Sequence, residues 1–271
     1  MHIALQLPAA VRDFSPLERF AGVVRVLAAR NLKGRYRGSI LGVYWSLGNP
    51  LFMTAIYTAI FGAAFAKYYH NNTWDYVLAC FSGLAVLNFF AQTTAQALPS
   101  LVSNGALVNK LPLPLSAFPV SVVAANLFQF AVGTFPVLAI VTLVLTRDLT
   151  HVLWMIVPSI ALLMVTTGFS LVLATLYVFF RDLAYLYELF TFGIWMTTPI
   201  FYPADVVPER LRVIFAFNPL SSIITSVRSI AFDPARPSLH LLGLSLLVGV
   251  VVLLAGAGVF RWQQHAFMDL I

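Results

Sequence analysis

Residues 31–50 read NLKGRYRGSILGVYWSLGNP. Lys33, Arg35 and Arg37 stand within the first seven positions, and from Ile40 onward the stretch turns apolar. Charge that stops where an apolar run begins is the pattern of a chain crossing from an aqueous boundary into lipid. The composition extends that reading to the whole chain. Of 271 residues, 60% are hydrophobic and 10% charged, where a soluble domain carries about 25% charged residues. Mean hydropathy is +0.88. The formal charge of +6 does not describe a nucleic-acid-binding domain, because the cations lie at the edges of apolar runs instead of forming a solvated basic surface. The expected fold class is an all-α polytopic integral membrane protein, a single transmembrane domain over 1–271.

Six spans of about 20 mostly apolar residues can be placed: 41–66, 75–98, 115–145, 152–179, a short one at 184–201, and 239–260. Glu188 is a costly charge in the first turns of the fifth. Between the last two, residues 202–237 hold two apolar runs, 209–217 and 220–232, each too short to span, separated by Asn218-Pro219. Pro208 and Pro219 are suited to opening helices. This segment is expected to form external re-entrant or interfacial helices, with Arg228 among its polar members; a surface loop with amphipathic pieces is the plainer reading.

Ten of the 16 Lys and Arg residues fall on the side of the N-terminus under this topology. That bias predicts two cytoplasmic termini. No signal-peptide pattern opens the chain, so the N-terminal segment is expected to stay at the membrane. Within 12–38 a helical projection puts Phe20, Val23, Val24 and Leu27 on one face and Arg19, Arg30, Lys33 and Arg37 on its neighbour. That is an interface helix, apolar side down, with Gly34 and Gly38 releasing the chain into the first span. The single cysteine, Cys80, allows no internal disulfide.

Four segments carry a resemblance to a known family. "RNLKGRYRGSILGVYWSLGNPLFM" resembles the N-terminal motif of ABC transporter permeases of the polysaccharide and polyol phosphate exporter family, which export O-antigen, teichoic acid or capsule polymers. "LVSNGALVNKLPLPLSAFPV", "FFRDLAYLYELFTFGIWMTTPIFYP" and "VPERLRVIFAFNPLSSIITSVRSIAF" resemble its later segments in order, so that the likeness runs over about 15–265. It implies a homodimer in the bacterial inner membrane, working with two copies of a separate ATPase subunit that binds the ATP and magnesium. The chain agrees in having no cofactor site and no G-x-x-x-x-G-K-[ST] loop of its own.

The resemblance also places roles. A coupling helix at about 100–111 would meet the ATPase through Asn104, Asn109 and Lys110, with Arg181-Asp182 on the same side; the latter pair reads equally as a local ion pair. The substrate, a polymer on a polyprenyl diphosphate, would present its dianionic linker at headgroup depth. Arg30, Lys33, Arg35 and Arg37, flanking Tyr36, are placed to receive it, since arginine offers bidentate donors; positive-inside anchoring explains the same residues more plainly. For the sugar chain, Tyr57, Phe61 and Phe65 form an i, i+4, i+8 aromatic stripe. Asn88, Gln92 and Gln96 repeat that spacing, and Asn126 and Gln129 follow in the third span. Intramembrane amides face protein or water, so these residues line a conduit or simply bond helix to helix.

Other functions fit less well. A small-lipid or drug exporter would share the architecture. A membrane-embedded glycosyl- or acyltransferase needs clustered carboxylates or histidines, and the five histidines are scattered with no H-x-x-x-H spacing.

Overall fold

The computed structural model describes residues 15–69, 72–203, 206–210, 218–232 and 237–267. Most of these residues are helical, and five of the helical stretches are long and apolar enough to cross a membrane: Gly42–Tyr68, Thr73–Ala97, Ala117–Thr146, Leu149–Phe179 and Leu239–Ala266. The protein is an all-α, multi-pass membrane protein. Most of the expected 209–217 run lies outside the described residues, as does the stretch 233–236.

Helix α1 (Pro16–Tyr36) starts on a capping box. Glu18 N–H donates to Ser15 Oγ, and Ser15 N–H donates to the Glu18 carboxylate at 2.7 Å, so two otherwise orphaned donors are satisfied. These hydrogen bonds from Ser15 hold the exposed Glu18 carboxyl below its ordinary range. Gly34 stays within the helix, so the chain turns only at Gly38, whose φ of +80° is a left-handed conformation that an L side chain resists. A short 3₁₀ turn (Gly42–Tyr44) then leads into α2 (Trp45–Phe65).

Helix α3 (Thr73–Ala97) runs through the middle of the molecule, with 72% of its apolar window buried, against 17% for the α2 stretch. After it, the short α4 (Gly105–Val108) leads to α5 (Ala117–Gln129), the five-residue π-turn Phe130–Thr134 and α6 (Phe135–Thr146). The π-turn has a local cause. Pro136, at the start of α6, has no N–H to bond the carbonyl one turn back and its ring crowds that carbonyl, so the preceding turn widens. Helices α7 (Leu149–Trp154) and α8 (Ile156–Phe179) return the chain. Then come α9 (Leu183–Thr197), α10 (Pro219–Phe232) and α11 (Leu239–Gln263).

The fifth expected span coincides with α9, but its helix is 15 residues long, about 22 Å at 1.5 Å per residue against a hydrocarbon core of about 30 Å. It is also little enclosed: only Tyr187 and Ile194 are buried, and Glu188 is exposed.

Two clusters of buried side chains mark the two ends. The larger unites α3, α8 and α10. The smaller gathers Leu27 of α1, Leu101 and Val108 around α4, Ala117 and Phe118 of α5, Val178 of α8, and Phe260 and Phe267 at the close of α11. Both α1 and the end of α11 therefore sit at one end of the bundle. Helices α8 and α11 form the most extensive helix pair. Their backbones meet at Gly168 and Gly256, where a β-carbon on either would come within 2.4 Å of a carbonyl oxygen on the other helix. Close approach through small residues is how helices associate when lipid competes for every apolar contact.

Candidate functional site

The amphipathic reading of α1 selects the correct face, and what covers that face is protein. Phe20, Val23, Val24 and Leu27 pack into the smaller cluster, and α1 lies along α5. Arg19, Arg30, Lys33 and Arg37 are exposed. Arg35 parts company with them. Counting from Phe20, positions 24, 27, 31 and 35 fall at i+4, i+7, i+11 and i+15, so Asn31 and Arg35 continue the packed face into the bundle.

There Arg35 meets three amides. One of its terminal nitrogens donates to Asn126 Oδ1 at 3.0 Å and to Gln129 Oε1 at 2.6 Å. The other donates to Gln96 Oε1, which also accepts from Asn126 Nδ2 at 2.9 Å. The guanidinium thus ties α1 to α3 and α5. Gln96 lies in the last turn of α3, where unpaired carbonyls and the helix dipole favour a cation. Asn31 reaches Ser121 at 3.5 Å, and Arg30 donates to Asn104 Oδ1 at 2.5 Å. One residue expected to receive a diphosphate and three expected to line a conduit form a single network. A second gate residue contacts one expected in ATPase coupling. Tyr36, half-buried, closes the helix.

Two spaces flank the network. A cleft of about 200 Å³ opens beside Arg35, lined by Asn31, Gln96, Ser100, Ser103, Asn104, Phe118, Ser121 and Val122. Deeper, a cavity of about 20 Å³, on the scale of one water molecule, lies among Ser46, Pro50, Asn88, Gln92, Asn126, Gln129 and Thr134. Ser46 Oγ and Asn88 Nδ2 are buried there without hydrogen-bond partners. All five expected conduit amides therefore border one polar column between α2, α3 and the π-turn.

The aromatic stripe continues the α2–α3 seam toward the other end. Tyr57, Phe61 and Phe65 follow one another at ring separations of 6.4 and 5.8 Å. Phe201 stacks on Tyr57 at 5.2 Å and on Phe61 at 5.9 Å, with Trp195 of α9 at 5.4 Å from Phe201. The seam is polar at the α1 end and aromatic at the far end, where Tyr76 donates to the Phe201 carbonyl at 2.9 Å.

Around α4, the segment buries Leu101, Gly105 and Val108 and exposes Ser103, Ala106, Asn109 and Lys110. Asn104 is half-buried and also donates to the Ser100 carbonyl at 2.7 Å. Arg181 stands over the Tyr177 ring, 5.5 Å from its centre, and among the described residues no ion pair joins it to Asp182, so that part of the plainer reading finds no support there. At the far end, Asn218 caps α10: its side-chain oxygen accepts from Leu220 N–H at 3.0 Å and its amide donates to Thr198 Oγ at 2.7 Å, with Pro219 in the first helical position. Pro208 is exposed and precedes the helical residues Glu209 and Arg210.

Arg228 has a heavier task than its place in a hairpin suggests. It donates to the carbonyls of Pro199 (2.8 Å), Ile200 (3.0 Å) and Ala79 (2.9 Å). The chain after α9 has left helical geometry, and its freed carbonyls are satisfied by this side chain. Among the described residues no group of three or more His, Cys, Asp or Glu side chains could hold a metal.

The family model for ABC-2 type transporters matches residues 22–232, most of the chain. The chain belongs to the ABC-2 type transporter family. Membership makes it the permease of a transporter whose ATPase is a separate partner. Among the relatives of this ABC-2 transporter are O-antigen export system permease proteins RfbA. One from Klebsiella pneumoniae is 29% identical over 248 residues, covering 91% of this chain and 93% of the relative. One from Myxococcus xanthus is 26% identical over 264 residues, covering 96% and 100%.

Proposed function

We propose that the chain is the transmembrane subunit of an ATP-driven exporter that moves O-antigen, carried on a polyprenyl diphosphate, out of the cytoplasm of a bacterium. The observation that carries this reading is the full-length likeness to O-antigen export permeases, joined to a site that combines headgroup-level cations with an amide column and an aromatic stripe. Two copies of the chain pair with two ATPase subunits, which hold the ATP and magnesium. The chain itself binds no cofactor.

Six crossings suit the packing. Arg181 lies near Tyr177 at the α1 end while Phe201 stacks on Tyr57 and Phe61 toward the other, so α9 and residues 198–201 carry the chain across, and α11 brings it back. Helix α1 lies at the inner face of the inner membrane, both termini are cytoplasmic, and α10 (Pro219–Phe232) belongs to the external side. Arg30, Lys33, Arg35 and Arg37 receive the diphosphate. The amides and aromatics serve the sugar chain. Asn109 and Lys110, exposed beside the packed Leu101 and Val108, transmit the ATPase stroke.

Deleting the chain in its host should abolish surface O-antigen and accumulate lipid-linked polymer inside. Expression of Lys110→Ala with Asn109→Ala should restore inserted protein and leave export low with ATPase activity uncoupled from substrate. Normal surface polymer in the deletion strain would rule out the reading, and normal export by the double variant would remove the coupling assignment.

A further inference from the structure

Among the described residues, Arg35 is bound only by neutral acceptors. Three amide oxygens surround its guanidinium, and no carboxylate lies among the residues lining the adjoining cleft. A charged acceptor makes a hydrogen bond with arginine roughly twice as strong as a neutral one does, so an oxyanion reaching the cleft would compete well for the same donors. The cleft supplies the rest of such a site. Ser100, 4% exposed, is among its lining residues, and its buried hydroxyl has no hydrogen-bond partner. A buried hydroxyl left unpaired costs free energy, and an oxyanion would accept from it. Asn31 holds Ser121 only at the 3.5 Å limit and can turn its amide donors inward.

We propose that the cleft between α1, the end of α3 and α5 is an oxyanion pocket for a phosphate or diphosphate headgroup. Occupation draws Arg35 away from Gln96, Asn126 and Gln129, so the ligand itself releases α1 from the amide column. The pocket's chemistry stands on its residues. Only the identity of the ligand's source, a polymer-carrying lipid or an ordinary anionic phospholipid, rests on the export reading.

The amides and the ligand compete for one cation, and this sets the signs of the test. The full-length protein in phosphatidylcholine nanodiscs is titrated with inorganic pyrophosphate by calorimetry. Ser100→Ala and Arg35→Gln should each weaken binding by about tenfold or more. Gln96→Leu, which removes a competing acceptor, should tighten it severalfold, whereas Gln96→Glu, which holds Arg35 with a full charge, should weaken it. Unaltered affinity in Ser100→Ala would move the pocket elsewhere and overturn the proposal. Weaker or unchanged binding in Gln96→Leu would overturn the competition, and Gln96→Glu checks the opposite sign in a variant of nearly native shape. Repeating the titration with farnesyl diphosphate, and in phosphatidylglycerol nanodiscs, separates the sources. If phosphatidylglycerol alone occupies the pocket with the same variant signs, the pocket and its release of Arg35 stand, with an ordinary phospholipid as ligand. The export reading is then tested by the deletion strain alone.

Discussion

Placing a methyl group at Gly256 would wedge open the closest seam in the protein. A β-carbon there would stand 2.3 Å from the Gly168 carbonyl oxygen, and one at Gly168 would stand 2.4 Å from the Val252 carbonyl oxygen. Ordinary contact begins near 3.4 Å, and 3.4 − 2.3 asks α8 and α11 to part by about 1 Å. Both obstacles are backbone, so no side chain can swing aside. Overpacking costs about 1–3 kcal/mol, and a rigid obstacle argues for the upper end. Alanine recovers about 1 kcal/mol of helix propensity over glycine, leaving Gly256→Ala destabilised by about 2 kcal/mol. Gly258, two residues along the same helix, has nothing within 4 Å of an added β-carbon. Gly258→Ala should therefore gain the same propensity without the clash. The two variants should differ by about 3 kcal/mol, more than a hundredfold in unfolding equilibrium. Reversible unfolding in mixed micelles measures this. The Gly168→Ala/Gly256→Ala double variant should cost less than the sum of the singles, because helices already parted for one methyl accommodate the other. Equal stability of Gly256→Ala and Gly258→Ala would refute the reasoning.

Arg228→Ala strands the carbonyls of Pro199 and Ile200 and should cost about 3 kcal/mol in the same assay, with Arg228→Lys recovering only part because lysine lacks the planar fork. Asn218→Ala removes the α10 cap and the Thr198 bond. About 1 kcal/mol should be lost, with faster amide exchange at Leu220 than at the helix centre. For Glu18, a lowered carboxyl pKa means that the stabilisation is full above the unfolded value and lost as pH falls through the folded one. Carbon-detected NMR should show Glu18 titrating below the ordinary glutamate range, and Ser15→Ala should move it upward and fray the first turn at neutral pH.

Much of this protein is legible along the chain because lipid imposes a one-dimensional rule. A span needs a continuous apolar run, and the runs at 41–66, 75–98, 115–145, 152–179 and 239–260 all correspond to long helices. Helical periodicity likewise picks the packed face of α1 correctly, since it depends only on 3.6 residues per turn. Ser15 and Glu18 carried a legible capping signal as well, three positions apart.

Periodicity cannot say what covers a face. Phe20, Val23, Val24 and Leu27 are apolar whether they meet lipid or α5, and only the fold puts α5 there. Nor does the spacing of cations along α1 separate Arg35 from Arg37. Their different fates follow from where Gln96, Asn126 and Gln129 stand, on helices 61 to 94 positions away in sequence. Arg228 is the same case at the other end: its partners, the carbonyls of Ala79, Pro199 and Ile200, are backbone groups that no side-chain pattern records. The sequence by itself determined that this chain lives in a membrane, where its long helices fall and which family it joins, because hydropathy, helical period and motif order are local properties. Only the tertiary structure decided that Arg35 belongs to the amide column and Arg228 to the break after α9. A half-buried cation is satisfied by whichever acceptors packing brings within about 3 Å, and that is a property of the assembled helices.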